Sequence, residues 1–315
     1  MREGGRRMDD GDNFFDLQVN GYAGIDFNAD DLDPARIATA CERLEQDGVA
    51  AILATVITAE IDQMCRRIGV IARAVQESPA VARVIRGIHV EGPFISDKPG
   101  YVGTHPRRSV TSASVPVVDR LIDAGQGFVK LVTLAPEQDA GFTTTQWLTD
   151  HGIIASAGHC DPTIDQLRGA IDHGLSMFTH LGNGCPLLMY RHDNVIQRVL
   201  SLSSSIWVCF IADGVHVPFA ALRNYLKLVG SARAIVVSDA ISAAGGGPGR
   251  YSLGSMEVIV DDNLATWSSD GEHLMGSACP LHTAYQNLVT KVGVSPDDAR
   301  RMTVSNPRRA TCMIS

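Results

Sequence analysis

At 315 residues and 33.7 kDa the chain is long enough for a sizeable core, and its 45% hydrophobic and 20% charged residues exclude wholesale disorder. A formal net charge of −8 argues against a broad nucleic-acid face, though not against a small anionic ligand held by a few local cations and backbone N–H groups. No apolar run reaches the roughly 18 to 20 residues that a membrane span requires, and seven scattered cysteines without a C-x-x-C pair suit a reducing compartment, not a disulfide framework.

Residues 1–13, MREGGRRMDDGDN, are basic and then acidic, with no apolar stretch behind them. They read as a disordered segment and not as a signal peptide, and a cytoplasmic protein is expected. From residue 14 on, runs rich in Val, Ile and Leu recur at 14–20, 49–58, 84–91, 128–136, 152–159, 175–180, 206–213 and 233–239. Near-continuous apolar runs suit strands buried on both faces, as in a parallel sheet. Between them, 34–47, 61–76 and 163–173 place apolar residues three and four apart, as covering helices do. Eight strand–helix units over roughly 250 residues predict a single (β/α)8 barrel, with a doubly wound sheet as the structural alternative. Residues 251–267 alternate and carry Asp261-Asp262-Asn263, which reads as a hairpin inserted at about 250–268, before the last helix. The Gly-rich stretch 243–249 lacks the Gly-Lys-Ser/Thr of a phosphate loop and reads as a lid or as the approach to that hairpin.

Seven of the strands end in, or run straight into, a chemically capable side chain: Asn20, Glu91, Glu137, His159, His180, Asp213 and Asp239. In a barrel the C-terminal strand ends share one face, so these residues converge there. Any one of them alone reads equally well as a turn former. His159 and His180 lie 21 residues apart, about one βα unit, which puts them on neighbouring strands. With Glu91, which closes a strand before Gly92-Pro93, they make a Glu-plus-two-His set able to bind a catalytic metal and keep one position open. Asp239 is either the cap of a turn or the general base and acid of a hydrolysis, since a metal lowers the pKa of water from about 15.7 to about 7. His216 in DGVHVP and His105 in GTHP read equally as loop residues. No G-x-S-x-G, H-E-x-x-H or strand-borne G-x-G-x-x-G occurs, which weakens serine-hydrolase, zincin and dinucleotide readings.

These motifs, taken with DLQVNGYAGIDF, HVEGPFI, LVTLAPE, AGH, THLGNG, VVSDA, HLMGSACPLHTA and SNPRRA, resemble in order and content the N-acetylglucosamine-6-phosphate deacetylases of the amidohydrolase superfamily. The resemblance runs from about Asp16 to about Ala310. It implies a metal-dependent barrel that removes acetate from the phosphosugar, with Glu91, His159 and His180 as metal ligands and Asp239 as the catalytic aspartate. It further implies that Thr104 and His105 contact substrate, His105 polarising the amide carbonyl, and that Asn183 and Gly184 form a sugar-binding turn. Asp213 to His216 matches a substrate loop near the phosphate, and Leu274, Met275 and Gly276 match a backbone contact region. Arg191 matches a phosphate-binding arginine that family dimers supply from the neighbouring subunit, so a homodimer is expected. Where many amidohydrolases carry His-x-His for a second metal, this chain has Gln18-Val-Asn20, and Lys130 lies too early in its strand to bridge two ions. One divalent ion is therefore expected, zinc first, with iron, cobalt or manganese fitting the same ligands. Family members also carry segments before the first strand and after SNPRRA that build a small β-sandwich, and a barrel without it is expected here. The remaining alternatives are a deacylase for another N-acyl substrate, such as N-acetylgalactosamine 6-phosphate or an N-acyl amino acid, and a non-catalytic sugar-phosphate binding protein.

Overall fold

The apolar runs form strands that all point one way, in a computed structural model that describes residues 13–312. The N-terminal segment expected to be disordered thus lies, apart from Asn13, outside the described residues. In chain order, β1 (Phe14–Val19) is followed by a short antiparallel pair, β2 (Gly21–Tyr22) and β3 (Ile25–Asp26). Then come β4 (Val49–Ile57), β5 (Ile85–Glu91), β6 (Val129–Leu134) and β7 (Ile154–Ala157). β8 (Met177–Phe178), β9 (Trp207–Ile211) and β10 (Ala234–Val237) complete the set. The sheet order among the described residues is β1-β4-β5-β6-β7-β8-β9-β10, every pairing parallel. A parallel bridge from Val19 to Ala240 brings the two edges together. Sequential neighbours throughout leave no point at which the strand order reverses, so the sheet is a (β/α)8 barrel and not a doubly wound one.

The covering helices start where the local chemistry supplies caps. In α1 (Pro34–Gln46) the Asp33 side chain accepts from the Arg36 N–H, and Pro34 takes a position that needs no donor. Thr163 and Gln166 form a reciprocal capping box at the start of the helix Ile164–Asp172. Outward strand residues such as Ile52, Ala54, Ile88, Val90, Val132 and Phe210 are buried beneath these helices. The inward set runs in layers: Leu53, Leu131, Met177, Ile211 and Ile235 fill the lower barrel.

The stretch after β10 is more elaborate than the expected hairpin. β11 (Gly249–Leu253), β12 (Met256–Val260) and β13 (Thr266–Ser268) form a three-stranded antiparallel sheet. Gly254-Ser255 makes its first, tight turn. The Asp-Asp-Asn motif makes the second, Asp261 accepting from the Asn263 and Ala265 N–H groups. Leu253, Val258 and Val260 pack against Ile57, Ile241 and Met275, which fixes this sheet over the barrel mouth. No helix among the described residues is long and apolar enough to cross a membrane.

Candidate metal centre

The strands that carry the chemistry stop two residues short of it. β7, β8 and β10 end at Ala157, Phe178 and Val237, and His159, His180 and Asp239 follow with φ of +50°, +33° and +52°. A left-handed backbone at a non-glycine residue costs energy and is kept where the surroundings enforce it, often at functional sites. Here it swings each side chain off its strand toward the barrel axis. One pocket is lined by Asn20, Ile57, Glu91, Thr104, His105, His159, His180, Asn183, Gly184, His216, Asp239, Leu253, Leu274 and Gly276, with Gly103 at its wall.

Glu91 is at its centre. Its Oε1 lies 2.9 Å from His180 Nε2 and 3.4 Å from His159 Nε2, and it accepts from Gln18 Nε2 at 3.1 Å. All of these groups are buried. Burial works against charging Glu91, but the two imidazoles outweigh it and hold its pKa well below the ordinary carboxylate value. Burial likewise opposes a charged His180, and the Glu91 carboxylate overcomes it and raises the pKa. His159 is clamped: Gly103 and Gly184, both at positive φ, lie so close that a Cβ on either would sit 2.8–3.0 Å from its ring. Gly184 thus has a packing role that the sequence motif alone did not show.

Hydrogen-bond partners fix which imidazole nitrogens are free. His159 Nδ1 is 2.9 Å from the Tyr101 carbonyl oxygen. A carbonyl only accepts, so Nδ1 carries the hydrogen and Nε2 of the neutral ring presents a lone pair. His105 Nδ1 is 2.9 Å from Thr58 Oγ1, whose hydroxyl is 3.1 Å from the Glu91 carbonyl oxygen. The hydroxyl donates to that carbonyl and accepts from His105 Nδ1, which again leaves a lone pair on Nε2. Burial pushes the pKa of His105 down to about 3, keeping the ring neutral. His105 Nε2 and His159 Nε2 stand 3.3 Å apart. Glu91 Oε1, His159 Nε2 and His105 Nε2 therefore face one another across the pocket. One carboxylate and imidazole nitrogens are a donor set that suits a divalent cation. Glu91, His105 and His159 form a buried group that could hold a metal ion.

Asp239 sits beside this group, its Oδ1 accepting from Asn20 Nδ2 at 2.8 Å. Burial first, and the Glu91 charge second, raise its pKa to about 6. Gln18 and Asn20, which stand in place of His-x-His, thus each donate an amide hydrogen to a carboxylate of the site. Lys130 points elsewhere, its Nζ 2.9 Å from the Gly127 carbonyl oxygen. Beneath these side chains lies a polar layer that sequence reasoning missed. His89 Nδ1 faces the Leu17 carbonyl at 3.2 Å, so Nε2 accepts from Thr133 Oγ1 at 2.8 Å. Thr133 in turn accepts from Thr179, 2.8 Å away, and Thr179 from Ser156, 2.7 Å away. The chain of hydroxyls runs in one direction, its polarity set by a single backbone carbonyl. The inward alternation of 89 with 91 could have revealed His89, but not its partners.

Three other expected residues stand apart. Asp213 does not line the pocket; it accepts from His216 Nδ1 at 2.7 Å, from the Val215 and His216 N–H groups and from Ser277 Oγ at 3.0 Å. These contacts outweigh burial and lower its pKa, and they aim His216 at the pocket. Met275 is buried in the apolar cluster under the three-stranded sheet, while Leu274 and Gly276 reach the pocket on either side of it. Arg191 is exposed and outside the pocket, in a segment with Leu187, Leu188 and Tyr190, which are 99%, 92% and 85% exposed.

Fold and site together define a barrel hydrolase built around a buried carboxylate and imidazole metal site, an amidohydrolase. The chain is 32% identical over 295 residues to N-acetylglucosamine-6-phosphate deacetylase of Bacillus subtilis (strain 168), covering 92% of this chain and 72% of that one. It is 29% identical over 296 residues to N-acetylgalactosamine-6-phosphate deacetylase of Escherichia coli O157:H7, covering 94% and 76%. The barrel superposes with a TM-score of 0.85 on a mutant N-acetyl-D-glucosamine-6-phosphate deacetylase of Mycobacterium smegmatis solved with N-acetyl-D-glucosamine-6-phosphate; identity is 30%, over 95% of this chain and 77% of that one. No protein-family model matches the chain. The chain belongs to the N-acetylglucosamine-6-phosphate deacetylase family.

Proposed function

We propose that the protein hydrolyses the acetamide of an N-acetylhexosamine 6-phosphate, N-acetylglucosamine 6-phosphate in the first place, to acetate and the amino sugar phosphate. The observation that carries this reading is the buried cluster of Glu91, His159 and His105, with His180 against Glu91, next to Asp239. Glu91, His159 and His180 hold one divalent ion, zinc being the first candidate. When bound, that ion supplies Lewis acidity, polarising the amide carbonyl and acidifying a water molecule. Asp239, oriented by Asn20, takes the proton from the attacking water and returns it to the departing amine. Its raised pKa keeps it basic enough to accept that proton, yet ionised at neutral pH.

Substrate placement follows from the same residues. Thr104, Asn183, Gly184 and the Leu274–Gly276 backbone position the sugar, and His216, aimed by Asp213, lies toward the phosphate. Arg191 binds the phosphate from a second copy of the chain in a homodimer. The exposure of Leu187, Leu188 and Tyr190 around it supports that placement, since contiguous exposed apolar groups mark interaction surfaces. A guanidinium suits phosphate bidentately, and anchoring the far end of the sugar orients the acetamide at the ion.

Acetate release from N-acetylglucosamine 6-phosphate, N-acetylgalactosamine 6-phosphate and unphosphorylated N-acetylglucosamine tests the reading. Turnover of the phosphorylated glucosamine derivative ahead of the other two is expected. A metal-replete enzyme that releases acetate from none of them contradicts it, and preference for the galactosamine epimer replaces it with the second reading that the Escherichia coli relative suggests.

A further inference from the structure

We propose that Ile57 and Leu253 form a wall that limits the N-acyl group of the substrate to two carbons, and that the buried carboxylate of Asp26 is the positioning residue that ties the two sides of this wall together. The inference rests on the deacetylase reading above and names the acyl selectivity of the same site. Its first ground is the chemistry of the pocket lining. Of the side chains that line it, Ile57, Leu253 and Leu274 are the apolar ones, and the rest are polar, charged or glycine. An N-acetylhexosamine 6-phosphate carries a single methyl group, at the end of the acetamide that reacts. Ile57 is the in-register neighbour of Glu91 on the adjoining strand. Leu253 joins it in one apolar cluster with Ile241, two residues beyond Asp239. The apolar surface therefore stands beside the reacting centre, where the methyl has to lie, and removing both from water is favourable. Ile57 and Leu253 are 5% and 3% exposed, so a longer acyl chain meets packed side chains and not a gap to solvent.

The second ground is how the wall is held. Its two sides come from different parts of the chain: Ile57 ends β4 at the barrel rim, whereas Leu253 ends β11 of the sheet laid over the mouth. Asp26, at the end of β3 and 1% exposed, reaches both. Its Oδ2 accepts at 2.7 Å from the N–H of Gly254, the residue after Leu253. Its Oδ1 accepts from the Asn28 N–H at 2.8 Å, and Asn28 Oδ1 accepts from the Ile57 N–H at 2.9 Å. Asn28 Nδ2 donates to the Thr55 carbonyl oxygen at 3.0 Å, so Asn28 is fastened to β4 at two points. Each Asp26 oxygen accepts one of these bonds, which an ionised carboxylate does and an amide cannot. Leaving either N–H unpaired while buried costs stability, and the pair of bonds fixes the height of the three-stranded sheet over β4.

Amine release from the N-acetyl and N-propionyl derivatives of glucosamine 6-phosphate tests the proposal, read as the ratio of their kcat/KM values. The wild type should favour acetyl by about 10-fold or more, the discrimination that one methylene gives. Leu253→Ala should lower that preference by about 10-fold. Asp26→Asn keeps the size of the side chain but turns an NH2 group on one of the two N–H donors, and Asn28→Ala cuts the same link at its other end. Both should shift the ratio toward propionyl, whereas a merely structural role would slow both substrates alike and leave the ratio unmoved. A wild type that uses the two acyl groups equally, or a ratio that Leu253→Ala does not move, overturns the wall. A ratio moved by Leu253→Ala but by neither Asp26→Asn nor Asn28→Ala overturns the role of Asp26. Metal-replete protein that releases amine from neither compound, nor from N-acetylgalactosamine 6-phosphate, overturns the deacetylase reading and the wall with it.

Discussion

Two parts of one short stretch of sequence behave in opposite ways. His180 is 3% exposed and lies 2.9 Å from the Glu91 carboxylate, whereas seven residues on, Leu187 is 99% exposed. The metal centre is built by strands that converge whatever the loops do, so one chain assembles it. The segment around Arg191 is exposed and outside that pocket, and under the proposed function its phosphate contact comes from another copy. On that reading the proposed metal-binding and acid–base groups depend on tertiary structure, and the phosphate-binding arginine alone on quaternary arrangement.

Asp239→Asn bears on the first region and should have the largest effect. Its amide can still accept from Asn20, so metal content should stay at wild-type level while kcat falls at least ~10²-fold, the scale of a lost general acid–base group. Retained turnover in a metal-replete variant removes Asp239 from the mechanism. Arg191→Ala bears on the second. Losing a charge-assisted contact worth about 1.5–3 kcal/mol should lower kcat/KM for the phosphosugar by about 10- to 100-fold and leave the unphosphorylated sugar unaffected, with Arg191→Lys only a partial rescue. Mixing Arg191→Ala with Asp239→Asn subunits should recover activity if the arginine acts in trans. If it acts within its own chain, the mixture stays as poor as its parts.

A smaller effect is expected from the layer below the ligands. Thr179→Val interrupts the hydroxyl chain from Ser156 to His89 next to His180, and should weaken zinc binding by up to about tenfold, with Thr179→Ser close to wild type. Equal affinity in both variants confines that layer to packing. The mildest test is pH. On the proposed mechanism Asp239 works ionised, and burial and the Glu91 charge raise its pKa to about 6, so kcat/KM should be flat at neutral pH and fall as pH drops through that value. A bound cation draws the midpoint lower still, and a midpoint above 7 contradicts the assignment.

The barrel and the strand-end residues were legible because both follow from period and direction: apolar runs at βα spacing define the strands, and parallel strands bring their ends to one face. Glu91, His159, His180 and Asp239 all stand where that logic put them, in one pocket. What a linear reading could not supply is partnership across the barrel. That Asp213 acts through His216, that Gly184 packs on His159, and that Gln18 and Asn20 each hold a carboxylate depend on contacts between residues up to 219 positions apart. The tautomer of His105 is of the same kind, since it is decided by Thr58 and the Glu91 backbone. Strand lengths were overread at 159, 180 and 239 because a left-handed turn leaves no mark in hydrophobic pattern.

On the proposed function one divalent ion at Glu91, His159 and His180 drives deacetylation. Stripping the purified protein with a chelator and titrating zinc back, while following acetate release from N-acetylglucosamine 6-phosphate, tests it most directly. Activity should vanish with the metal and return linearly to a break at one ion per chain. Full activity in the stripped protein, or a break only at two ions per chain, would contradict the account.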